Sequence, residues 1–93
     1  MIKLVGDEIW RDNEKIGWIE GHHIRDHAGN KVGFFDDKFV YNEGDHKVAY
    51  IEEGHCFAEG GATKIPLEKI AEDVTGGVIS ECARAAIYVL LGS

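Results

Sequence analysis

Four segments of the chain can be laid over one another on a lysine. They are Glu14-Lys15-Ile16-Gly17-Trp18-Ile19-Glu20, Asn30-Lys31-Val32-Gly33-Phe34-Phe35-Asp36, His46-Lys47-Val48-Ala49-Tyr50-Ile51-Glu52 and Thr63-Lys64-Ile65-Pro66-Leu67-Glu68. The lysines stand 16, 16 and 17 positions apart. After each comes a β-branched residue, a small residue or proline, and a large apolar one. A further apolar residue follows in all but the last copy, and then a carboxylate. Self-similarity at a short fixed period signals a stacked architecture in which one unit cannot bury its apolar face alone.

A second short strand precedes each lysine: Glu8-Ile9-Trp10-Arg11, His23-Ile24-Arg25, Phe39-Val40-Tyr41 and Cys56-Phe57-Ala58. Each ends on Asp12, Asp26, Asn42 or Glu59, and the longer loops that follow carry Gly29, Gly44, or Gly60 with Gly61. Such residues supply the turn conformations of hairpins. No stretch between repeats is long enough for a crossover helix, so neighbouring strands are expected to be antiparallel. The fold class that follows is mainly β. It is an up-and-down meander of four hairpin repeats over residues 6–68, about eight short strands, curled, with one C-terminal helix packed on it.

Alternation along the second strands puts Ile16, Val32, Val48 and Ile65 on one face with Trp18, Phe34, Tyr50 and Leu67. The other face then carries Gly17, Gly33, Ala49 and Pro66, followed by Ile19, Phe35 and Ile51. Small residues repeated in register imply that something packs close to the backbone there, either the C-terminal helix or a second chain. Pro66 cannot donate to a ladder, so the eighth strand is expected to lie at an edge or to stop there. Alternatively, Pro66 opens a short helical turn.

Residues 69–77 read as a connector ending in Thr75-Gly76-Gly77, and residues 78–91 as a helix. Apart from Ser80, its polar side chains Glu81, Arg84 and Tyr88 form one narrow stripe, so most of its circumference must be covered. Either the meander curls around it or a partner chain does. The expectation drawn from this is a homodimer, with Ile79, Ala83, Ala86, Val89 and Leu90 at or near the interface.

Ninety-three residues suit a single domain, 1–93. A net charge of −7, from 17 acidic against 10 basic side chains, argues against a nucleic-acid partner. It permits a basic protein partner. Two cysteines without CxxC spacing read as reduced thiols of a cytoplasmic protein. The apolar run Ala83–Leu91 is too short to span a bilayer, so no membrane insertion is expected.

No ligand set has a committed spacing. Imidazoles bind transition metals, and His27 and His46 sit in loops of consecutive repeats where they could approach on one edge. Yet no HxxxH lies on a helix, and His22 and His23 point to opposite faces of a strand. Turn histidines suffice as an explanation, and no metal or cofactor is expected. The carboxylates Glu20, Asp36, Asp37, Glu52, Glu53 and Glu68 lack the spacing of a calcium loop and read as solvated turns. The lysine column is expected to pair with the turn acids Asp12, Asp26 and Glu59. Cys56 and His55 are adjacent on a strand and face opposite ways, so they form no nucleophile–base pair. Trp10, Trp18, Phe34, Phe35, Phe39, Tyr41, Tyr50 and Phe57 could stack sugars or bases, but at repeat spacing they are expected in the core.

The phrases Lys15-Ile16-Gly17-Trp18-Ile19-Glu20 and Gly29-Asn30-Lys31-Val32-Gly33-Phe34-Phe35-Asp36 resemble short bacterial repeats built on a glycine–aromatic strand and a D-x-x-G-x-K hairpin turn. The aromatic hairpin repeats of cell-wall-binding modules are a looser likeness, with longer units and Trp-Tyr-Tyr clusters that this chain lacks. The resemblance implies a scaffold that binds. The functional expectation is a non-enzymatic, self-associating interaction module. The alternatives are a small ligand- or metal-binding module using loop histidines, and an acidic inhibitor or immunity-type protein that covers a basic surface.

Overall fold

The computed structural model describes residues 1–92. The strands are β1 (Ile2–Val5), β2 (Glu8–Arg11), β3 (Glu14–Glu20), β4 (His23–Asp26), β5 (Lys31–Phe35), β6 (Phe39–Asn42), β7 (Lys47–Glu52), β8 (His55–Ala58), β9 (Thr63–Pro66) and β10 (Val74–Thr75). The helices are α1 (Leu67–Asp73) and α2 (Glu81–Leu91), and a single 3-10 turn spans Glu59–Gly61. All ten strands form one sheet in the order β10-β1-β2-β3-β4-β5-β6-β7-β8-β9. From β2 to β9 it is the four-hairpin meander that the repeats predict, antiparallel throughout. The sheet stays open, because β9 and β10 end it without pairing to each other.

Two strands outside the repeats were not anticipated. β1 pairs antiparallel with β2 and parallel with β10. Its alternation is plain in retrospect: Ile2 and Leu4 are buried, Lys3 and Val5 exposed. The connector is likewise structured, holding α1 and β10. Pro66 meets both expectations placed on it, as the last residue of the edge strand β9 and the residue that caps α1.

The assignment of faces needs correction, for one physical reason. Ile9 pairs with Gly17 but Trp10 with Lys15, so Ile16 is an extra residue in β3. Val32 and Val48 are extra in the same way in β5 and β7. Each bulge breaks the two-residue alternation. Ile16, Val32 and Val48 therefore pack on the core beside Gly17, Gly33 and Ala49, not with Trp18, Phe34 and Tyr50. Three bulges in register also increase the local twist, which bends the sheet around α2.

The core lies between that concave face and the helix. Ile9, Ile24, Val40 and Cys56, each fully buried, supply one residue per first strand of the repeat. Across from them, α2 buries Cys82, Ala83, Ala85, Ala86 and Ile87 and packs over β5, β6 and β7. Gly33 permits the approach: a Cβ there would lie 2.7 Å from Leu90 Cδ1 and 2.2 Å from the Tyr41 carbonyl oxygen. At Gly17 the close neighbour is instead the Arg25 carbonyl of the next strand.

α2 begins at Glu81, not Val78, because Ser80 takes the capping position and its hydroxyl accepts from the Ala83 N–H at 3.0 Å. Its other end receives the Arg11 guanidinium, which donates to the Leu91 carbonyl. A cation there complements the partial negative charge of the helix C-terminus. Arg84 is half-buried and donates to the Val74 carbonyl at 2.6 Å and the Gly76 carbonyl at 3.0 Å. Arg84 of the polar stripe thus clamps α2 to β10 and the turn after it.

Candidate functional site

The surface that departs most from an ordinary exterior is the outer face of the sheet, opposite α2. Since Ile9, Ile24, Val40 and Cys56 point to the core, their neighbours Trp10, His23, Arg25, Phe39, Tyr41, His55 and Phe57 point outward. Trp18, Phe34 and Tyr50 join them from β3, β5 and β7. Of the eight aromatic residues expected in the core, only Phe35 is buried there; the other seven are half-buried on this outer face. The same bulges that turn Ile16, Val32 and Val48 inward leave the rings outside.

The strand registers arrange these side chains in three equivalent rungs. Glu8, Trp18, Arg25 and Lys31 lie opposite one another across β2 to β5. His23, Phe34, Tyr41 and Lys47 do so across β4 to β7. Phe39, Tyr50, Phe57 and Lys64 do so across β6 to β9. Phe34 and Tyr41 stack at 4.4 Å and 7°, and Tyr50 and Phe57 at 5.0 Å and 11°. These separations are close to one strand spacing, so the rings stand upright on the sheet and present their edges to solvent. Stacked cross-strand pairs of this kind stabilise a sheet by roughly 0.5 to 1.5 kcal/mol each beyond area burial.

Every repeat lysine lies over a ring: Lys15 over Trp18, Lys31 over Phe34, Lys47 over Phe39 at 4.0 Å, and Lys64 over Phe57. Their ion pairs are not with the turn acids of their own hairpins. Lys15 pairs with Glu8 and Lys31 with Asp45, each at 3.1 Å. The acids close the turns instead. Asp26 accepts from the Ala28 and Asn30 amides, and Asn42 accepts equivalently from Gly44 and His46. Asp36 accepts from the Lys38 and Phe39 amides and from the Tyr41 hydroxyl, and these bonds hold its carboxyl below the usual range.

A shallow indentation of about 110 Å³ lies at the β6–β8 end of the outer face, lined by Phe39, Lys47, Tyr50, Phe57, Gly60 and Gly61. On the other side of the 3-10 turn runs a groove of about 570 Å³, walled by Lys47, Val48, Ala58, Ile65, Tyr88 and Val89. The free edge of β9 borders it. The Cys56–Ile65 register and the Leu67 N–H to Gly54 carbonyl bond show that residues 63, 65 and 67 bond toward β8. Lys64 and Pro66 point away, and proline has no N–H. Only Lys64 leaves both a donor and an acceptor on that edge, which blunts strand addition.

The residues singled out as interface candidates divide. Ala83 and Ala86 are buried within the chain's own fold, whereas Ile79, Val89 and Leu90 keep part of their surface. His27 and His46 are exposed, and among the described residues no group of three or more His, Cys, Asp and Glu is placed to hold a metal. His55 points outward with Nδ1 near the Glu53 carbonyl, while Cys56 points inward and is fully buried. Burial raises both thiol pKa values, that of Cys82 to about 12. Among the described residues no helix is long and apolar enough to cross a membrane. No known protein family matches the sequence, and neither a curated protein nor a solved structure is similar to it.

Proposed function

We propose that this chain is a non-enzymatic, cytoplasmic interaction module whose working surface is the outer face of its sheet. One observation carries the reading: seven aromatic side chains and the repeat lysines occupy the sheet face opposite α2, which among the described residues no other helix or strand covers. Aromatic side chains are enriched at the centres of protein interfaces, and half-buried rings already fixed in place lose little freedom on binding. The inaccessible, protonated thiols speak for binding over catalysis. The test is retention of a native partner on immobilised protein. Wild type and Val89→Asp should retain the same species, and Lys64→Glu with Tyr41→Ser should lose it. Retention unaffected by the outer-face changes would refute the reading.

Self-association is the second reading, supported by the apolar groove beside Tyr88 and Val89. α2 offers a partner less apolar surface than its sequence implies, because Cys82, Ala83, Ala85, Ala86 and Ile87 are buried within the fold. Sedimentation equilibrium at micromolar concentration decides it. A dimer dissociated by Val89→Asp supports the groove as a contact between copies, and a monomer rejects it.

A further inference from the structure

The outer face is charged against the sign of the chain. Six cations point outward from the strands (Lys3, Lys15, Arg25, Lys31, Lys47 and Lys64) against three carboxylates (Glu8, Glu20 and Glu52). From the turns Lys38 adds a cation, 5.7 Å over Phe39, and Asp36 and Asp45 add carboxylates at Tyr41 and Lys31, which leaves an excess of two positive charges on one face of a chain whose total is −7. The excess is concentrated toward β9. Lys15, Arg25 and Lys31 are ion-paired, at 3.1, 3.6 and 3.1 Å, whereas among the described residues Lys47 and Lys64 have no carboxylate within 4.0 Å.

Lys47 lines the indentation formed with Phe39, Tyr50 and Phe57, and Lys64 lies over the Phe57 ring at 5.8 Å. The Tyr50 and Phe57 rings stand edge-outward, and an aromatic edge carries the positive lobe of the ring quadrupole. Cation and ring edge therefore attract the same ligand charge. Resting on the reading of the outer face as the binding surface, we propose that its occupant is an acidic protein segment, lying across β6 to β9 with a carboxylate in this indentation. Single-stranded nucleic acid fits less well. Its bases need exposed ring faces, and the inner faces of these stacked pairs cover each other.

The test uses fluorescent poly-glutamate, its poly-glutamine counterpart and an oligo-dT of matched charge as probes, at low salt. Poly-glutamate should bind, poly-glutamine should not, and added salt should weaken the complex. Lys47→Gln with Lys64→Gln should reduce affinity roughly fivefold. Lys69→Gln, on α1, should leave it unchanged, with all variants retaining the wild-type melting temperature. No poly-glutamate binding, equal loss with Lys69→Gln, or tighter binding of oligo-dT would overturn the inference. If poly-glutamate fails while Lys64→Glu with Tyr41→Ser still abolishes native-partner retention, the acidic segment is wrong and the outer face stands. If neither responds, both fall.

Discussion

Leu90 lies against the backbone of Gly33, with its Cδ1 only 2.7 Å from where a side chain at position 33 would begin. This contact seats the last turns of α2 on β5. Gly33→Ala should therefore cost about 2 to 3 kcal/mol, since an added methyl meets both Leu90 and the Tyr41 carbonyl. Gly54→Ala is the control. Gly54 has a left-handed φ of 77° but open space around it, so its cost should be about 1 kcal/mol. Denaturant midpoints of the two variants check the difference.

Arg84 and Ser80 hold the start of α2 by different means. Removing the Arg84 guanidinium leaves two β10-side carbonyls without their charged donor, and Arg84→Ala should lower stability by about 2 kcal/mol. Ser80→Ala loses one neutral cap and should cost about 1 kcal/mol. Chemical denaturation should rank Arg84→Ala as the worse. The reverse order would mean that Arg84 is a solvated side chain.

The thiols give a pH signature. Burial, then the nearby Asp36 carboxylate, pushes Cys82 to about 12, against 9.0 when unperturbed. Above pH 9 the unfolded chain loses protons that the folded chain keeps. The contribution of Cys82 to stability should be constant below pH 9 and fall as pH rises from there toward 12, by up to about 1.4 kcal/mol per unit. A thiol reagent at pH 8 should find no reactive cysteine in the folded protein and two in denaturant. Rapid modification under native conditions would contradict the burial of both.

Much of this fold was legible in the sequence because the lysine column repeats it four times. The hairpins, the up-and-down meander and the close approach of something to Gly33 all follow from that column. The bulges at Ile16, Val32 and Val48 were not legible. Strict alternation placed these residues with the aromatics, and one extra residue per repeat reverses that. The aromatic face was therefore assigned to the core, and the candidate site was missed for the same reason. A signal was present, in that a lysine and an aromatic ring keep the same spacing in each of the first three repeats. β1 is visible in the alternation of Ile2 and Leu4, whereas β10 is two residues long and exists through its pairing with β1.

The claim that the outer face is the working surface is tested most directly by photo-crosslinking in the native host. p-Benzoylphenylalanine would replace Tyr41 on that face, Val89 in the groove and fully exposed Val78 as a control. The account predicts a discrete adduct from position 41 and none from 78. An adduct from position 89 alone, at twice the mass of the chain, would contradict it and make the groove beside α2 the surface that matters.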